Sequence, residues 1–288
     1  MISGKEVAEA IFLDLESFFY ESAKFKVARE YNPKAKKHAS FIGSGAKSRI
    51  QLSVDFCNFE AKSMSEIFFI TIIICHECAH YLHKHNNHKD DENLDFTAIE
   101  NWADYFGGRI FGIIITFGKK TQALMTKIHS EWDKTIVIES IGLALKDIYL
   151  DIYLINTDER YSKPIERVFI FNSGFLSFFY RLYNELDPDF ILWLLISIMK
   201  KLPLSESEMM HHENINLEKH TDIAKRSSDI HKKIQSYDIS ITLGVKAEYA
   251  RMLITNYNLS SIEVERNKDK LTEQANRIFL KLDSKNIT

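Results

Sequence analysis

The 288-residue chain is poor in glycine (10), proline (4) and cysteine (3). With so few helix breakers and so many long side chains, the composition predicts a mainly helical fold. Three cysteines, Cys57, Cys75 and Cys78, are too few and too uneven for a disulfide framework, and they point to a reducing compartment. An excess of basic residues is also missing. Lys and Arg number 37 against 40 Asp and Glu, a formal charge of −3, which removes the electrostatic basis for a nucleic-acid partner. Lys34, Lys36 and Lys37 read as solvated surface. No apolar run approaches the roughly 20 residues needed to cross a bilayer. The longest, 67–75, 110–118, 168–180 and 190–199, are short and adjoin charged or histidine residues. The N-terminal segment carries acids within its apolar stretch, so it reads as an amphipathic helix and not a signal peptide. The expectation is a cytoplasmic protein with no membrane span.

Hydrophobic residues make up 45 % of the chain, enough to bury a sizeable core. A single domain over 1–288 is expected, with a catalytic core at about 49–170 and a helical C-terminal part at about 171–288. Residues 4–31 read as one amphipathic helix ending before Asn32-Pro33, and 32–49 as a polar loop. Within that loop GSGAKS (Gly43–Ser48) resembles a phosphate loop only superficially, because Ala46 and Phe41 stand where that motif requires glycine. RIQLSVDFCNF (Arg49–Phe59) alternates, placing Ile50, Leu52, Val54 and Phe56 on one face of a strand. Helices follow at 63–85 and 95–117. The rest of the chain reads as helical, with breaks near 156–162, 185–189, 203–208 and 237–241.

The stretch richest in chemistry is IIICHECAHYLHKH (Ile72–His85), which holds the motif His76-Glu77-Cys78-Ala79-His80. On a helix, positions i and i+4 share a face, so His76 and His80 can hold one Zn²⁺ together. The metal lowers the pKa of a water it binds, and Glu77 beside it can take the proton and pass it to a leaving amine. Burying two histidines and a glutamate in so apolar a helix without a partner would cost several kcal/mol, which a metal offsets. A catalytic zinc needs a third protein ligand. A third histidine six residues past His80 is excluded, because that position is Asn86. Glu100 and Asp104 lie i and i+4 on the next helix. Glu100 can reach the metal, and Asp104 can accept a hydrogen bond from the outer nitrogen of His76 and fix its tautomer. Ala103, Gly107 and Gly108 would let that helix approach closely. His83 or His85 is the alternative third ligand, although His83 reads as a polar helix end or site rim, and His85 and His88 as surface. Cys75 and Cys78 sit mid-helix and read as core packing rather than a redox pair.

HExxH followed by E-x-x-A-D on the next helix resembles the gluzincin metallopeptidases. Within them it resembles the CAAX-prenyl-protease clan and, more closely, the soluble Lit-like phage-exclusion peptidases. The residues that carry the likeness are the alternating strand Ile50–Phe56, HECAHYLHKH, IENWADYFGGRI and YSKPIERV, with His85 standing five residues past the second ligand. They cover about 49–118 and 161–168. The resemblance implies a zincin-like fold, a small β-sheet or hairpin beside the HExxH helix within an α+β, mainly helical domain. It implies zinc held by His76, His80 and Glu100, with Glu77 as general base and Asp104 orienting His76. Tyr161 and Arg167 would be the donors to the negative charge that develops on the scissile carbonyl oxygen. It also implies an endopeptidase acting on a cytosolic protein, with a host translation factor as the candidate target during phage infection. The rival from another class is a non-catalytic, zinc-stabilised helical interaction module of a defence or toxin–antitoxin system. A purely structural site, however, has no use for Glu77 and would be closed by four ligands.

Overall fold

In the computed structural model, which describes residues 1–88, 95–155, 161–204, 225–227, 229–231 and 244–253, most helices begin where a serine or aspartate side chain meets backbone N–H groups. After the short β1 (Ile2–Ser3), Ser3 caps α1 (Gly4–Ser17) in a capping box with Glu6. Three strands follow, β2 (Arg29–Asn32), β3 (Ala39–Ile42) and β4 (Arg49–Ser53), then α2 (Val54–Asn58) and β5 (Glu60–Ala61). Ser63, again in a capping box, with Glu66, opens α3 (Met64–His83), and Asp95 caps α4 (Phe96–Phe117). Next come α5 (Lys119–Ile128), α6 (Lys134–Ile148), a π turn at Tyr149–Tyr153, α7 (Pro164–Tyr183) and α8 (Pro188–Met199). A last described helix spans Ala247–Leu253.

The mainly helical fold with a small sheet agrees with the composition, but the N-terminal third departs from the local reading. The helix expected over 4–31 stops at Ser17, whose hydroxyl donates to the Asp14 carbonyl, and Phe18 and Phe19 then turn into the core. Residues 29–32 instead pair in parallel with β4, and 39–42, expected as loop, pair antiparallel with its other edge, giving the order β2-β4-β3. The alternation read over 49–59 holds only to Ser53, whose side chain accepts from the Phe56 N–H and starts α2. Ile50 and Leu52 are buried as expected, while Val54 stands out in solvent. GSGAKS forms a turn in which Gly43 and Gly45 have positive φ.

One contiguous hydrophobic cluster runs from Ile2 to Leu253 through α1, α3, α4, α6 and α7. Its axis is α3, apolar on nearly every side. Among the described residues α3 alone is long and apolar enough to cross a membrane by length and composition, but 67 % of that stretch is buried inside the fold. Helix α4 lies against α3 at Gly107, where an added Cβ would stand 3.0 Å from the His76 Cα. It lies against α7 at Gly108 and Gly174, and a Cβ on Gly174 would stand 1.7 Å from the Tyr105 carbonyl oxygen. These close approaches place α4 and α7 around the HExxH segment of α3.

Candidate metal centre

His76 and His80 lie one turn apart on α3, with their Nε2 atoms 3.1 Å from each other. Glu100 comes from α4, and its Oε2 lies 3.4 Å from His76 Nε2 and 3.6 Å from His80 Nε2. Ligands on a tetrahedral zinc with bonds of about 2.0–2.1 Å are separated by about 3.3–3.4 Å. The three atoms are therefore spaced as one metal would space them, and this group could hold a metal ion.

The outer nitrogens support the same conclusion. His76 Nδ1 donates to Asp104 Oδ1 at 2.8 Å, since a carboxylate only accepts. His80 Nδ1 pairs with His85 Nδ1 at 2.7 Å. With one proton on each ring, both Nε2 lone pairs and a carboxylate oxygen converge on one point, an arrangement that a cation would stabilise. Burial opposes a charged His76, but Asp104 and Glu100 outweigh it and raise the ring to about 10. Burial likewise opposes the charge of Glu100, and His80 and His76 overcome it, holding Glu100 well below the usual carboxylate range. A proton on His76 thus supplies one positive charge at this point, and a divalent metal would supply two.

Asp104, only 2 % exposed, is held from the other side by Arg167, with Nε donating to Oδ2 at 2.7 Å and Nη2 to Oδ1 at 2.9 Å. Burial works against the Asp104 charge, and Arg167 and His76 more than compensate, keeping the carboxyl below its ordinary value. The guanidinium lies over the rings of Tyr153 (4.0 Å) and Tyr161 (4.6 Å), and the Tyr153 hydroxyl donates to Asp104 Oδ1 at 3.4 Å. Two of the five N–H donors of Arg167 are therefore committed to positioning Asp104. Tyr161 is half-buried on the wall of a cavity of about 520 Å³ that opens beside His76 and Glu77.

Glu77 is fixed by the edge of the sheet. The Phe41 N–H donates to its Oε2 at 2.5 Å, and the Phe41 carbonyl accepts from Asn86. The polar groups of Phe41 therefore turn away from β4. By the alternation of an antiparallel pair those of Ala39 do the same, on the side where Ala39 lines the cavity. Ile72, Ile73, Ile148 and Ile152 make the cavity apolar, with Lys36, Lys37 and Asp151 also on its lining.

His83 and His85, read from the sequence as rim and surface, are both buried. His83 ends α3, and the left-handed turn at Lys84 brings His85 back behind His80. His83 donates from Nδ1 to the Ala79 carbonyl at 2.9 Å and accepts from Trp102 Nε1 at 3.3 Å, so both of its nitrogens are used away from the site. His85 lies behind His80 and reaches His231 Nε2 at 2.8 Å through its own Nε2. His231 in turn sits 2.5 Å from the Ser227 carbonyl through Nδ1. Burial pushes His85 well below its ordinary value and His231 down to about 4. The side chain of His88 lies outside those described. Cys75 and Cys78 are fully buried core residues. Sequence reasoning missed Tyr153, Ser227 and His231; His231 stands 146 residues from His85, and no spacing rule connects them. No protein-family model, curated protein sequence or solved structure matches this chain.

Proposed function

We propose that the protein is a zinc-dependent endopeptidase. The observation that carries this reading is the convergence of His76, His80 and Glu100 at metal spacing beside a sheet-anchored Glu77 and an open cavity. Zinc held there would polarise the scissile carbonyl and bring a water within reach of ionisation near neutral pH. Glu77 takes the proton of the attacking water and delivers it to the departing amine. The outward-turned N–H of Ala39 on β3 offers a backbone hydrogen bond to an extended peptide, while its carbonyl already accepts from the Ser40 hydroxyl. The isoleucine-lined cavity accepts an apolar side chain next to the scissile bond. Tyr161 donates to the carbonyl oxygen as charge builds on it, and Arg167 adds its positive charge there while holding Asp104. The resemblance extends the proposal to a cytosolic protein target, such as a translation factor cleaved during phage infection. The rival reading as a zinc-stabilised interaction module is disfavoured, because among the described residues the group has three ligands where a structural zinc takes four.

The test is a comparison of newly formed protein N-termini in cells expressing wild type or Glu77→Gln, paired with cleavage of a fluorogenic peptide library by zinc-loaded protein. Glu77→Gln should retain zinc and lose about 10²–10⁴-fold in turnover. If zinc-replete wild type produces no new N-termini and cuts no peptide, or if Glu77→Gln cuts as fast as wild type, the proposal fails.

A further inference from the structure

We propose that His231 is a positioning residue for the metal centre. It fixes, through His85, the tautomer in which His80 presents its Nε2 lone pair to the ion. The inference rests on the metal reading of the site, and the directions of three hydrogen bonds carry it.

The chain of donors starts at Ser227. A backbone carbonyl only accepts, so the 2.5 Å contact places a proton on His231 Nδ1 and leaves His231 Nε2 as an acceptor. At 2.8 Å the donor facing that acceptor must be His85 Nε2–H. His85, with its single proton committed there, accepts at Nδ1, so His80 Nδ1 donates across 2.7 Å. His80 is left with Nε2 unprotonated, and this is the atom that faces His76 Nε2 and Glu100 Oε2. The deep burial of His85 and His231, which disfavours a second proton on either ring, agrees with this order.

The far end of the chain is anchored to the element that supplies the third ligand. Ser227 Oγ donates to the Ala98 carbonyl at 2.8 Å, Arg226 pairs with Asp95 at the cap of α4, and the His231 ring packs on Trp102 at 4.6 Å. Asp95, Ala98 and Trp102 flank Glu100 on the first turns of α4. The segment around 225–231 therefore sets the proton of one ligand and braces the helix of another. This gives part of the C-terminal region, which carries no recognisable motif, a defined task at the metal.

The test uses the full chain with His231→Phe, which fills the space without an acceptor, and His231→Gln, whose Oε1 can accept near the Nε2 position. Zinc affinity is read by competition with a chromogenic chelator. His231→Phe should bind zinc about 10–100-fold more weakly, the usual effect of removing a partner behind a ligand, and His231→Gln should recover most of that loss. Separately, ¹⁵N-histidine NMR of metal-free wild type should find protons on His80 Nδ1, His85 Nε2 and His231 Nδ1. A His85 proton on Nδ1, or wild-type zinc affinity in a folded His231→Phe, overturns the inference. If His231→Phe does not fold, the wild-type tautomers decide. Wild type that takes up no zinc but shows this proton order would overturn the metal reading and not the relay.

Discussion

Replacing Arg167 with alanine should weaken the fold and the metal site together. Its guanidinium, 5 % exposed, gives Asp104 two hydrogen bonds of 2.7 and 2.9 Å. Without it the buried carboxylate keeps the His76 N–H at 2.8 Å and the Tyr153 hydroxyl at 3.4 Å. Removing one partner of a buried ion pair costs about 3–5 kcal/mol, and lost stacking over Tyr153 and Tyr161 adds to that cost. At about 2–4 °C per kcal/mol for a large domain, the melting temperature should fall by about 6–20 °C. Asp104 would orient His76 less firmly, and zinc affinity should drop by about 10–100-fold. Urea unfolding followed by tryptophan fluorescence gives the stability, and chelator competition gives the affinity. The double variant Arg167→Met/Asp104→Asn, which removes both charges, should recover part of the lost stability. A guanidinium that acted solely on substrate charge would leave both quantities unchanged and alter turnover alone. An Arg167→Ala protein within about 1 kcal/mol of wild type, with unaltered zinc affinity, would therefore refute the positioning role.

Two further outcomes follow from the same geometry. Glu100→Ala should abolish tight zinc binding, whereas Asp104→Ala should weaken it by about 10–100-fold; elemental analysis with chelator titration ranks them, and a Glu100→Ala protein that binds like wild type removes Glu100 from the ligand set. Stability should fall as pH drops from about 6.5 towards 4, because burial lowers the pKa of His83, His85 and His231 in the folded state, with His231 down to about 4, while the unfolded chain takes up protons near 6.5. The contribution of these rings is fully present above 6.5 and decays below it, by up to about 4 kcal/mol per pH unit if all three lag together. His76, raised by Asp104 and Glu100, acts the other way while the unfolded ring is still taking up its proton around pH 6.5, and offsets only part of what three rings lose. Urea midpoints that stay level from pH 7 to 5 would contradict the neutral burial of these rings.

The parts of the site that were legible in the sequence obey short-range geometry. The i/i+4 spacing of His76 and His80, and of Glu100 and Asp104, fixes which side chains share a helix face. Gly107 announces where the two helices meet. Local signals likewise mark the starts of α3 and α4, since Ser63 and Asp95 are caps by residue type and position. What the sequence hid depends on long-range pairing. Residues 29–32 become a strand only because β4 is there to receive them, and an amphipathic pattern over 4–31 carries no trace of that partner. His85 looked like a surface residue because the ring that closes over its far side, His231, comes from 146 residues further along the chain. Arg167 looked like a free cation beside a substrate for the same reason: its partner Asp104 lies 63 residues away.

The two ligand histidines are held by opposite means, and the difference bears on what the metal could do. His76 leans on a carboxylate that Arg167 neutralises, whereas His80 leans on neutral imidazoles that end at a backbone carbonyl. Apart from Glu77, which stands beside the centre as the base, the groups that would hold the ion bring two negative charges (Glu100 and Asp104) and one positive (Arg167), so a divalent ion would leave this holding group with a positive charge. A carboxylate in place of His85 would cancel that charge and make His80 a stronger electron donor. Either change would weaken the pull of the ion on a carbonyl or a water, the property a hydrolase needs from it. A chain of neutral histidines fixes the His80 tautomer as firmly as an aspartate would, without adding a third anion beneath the metal.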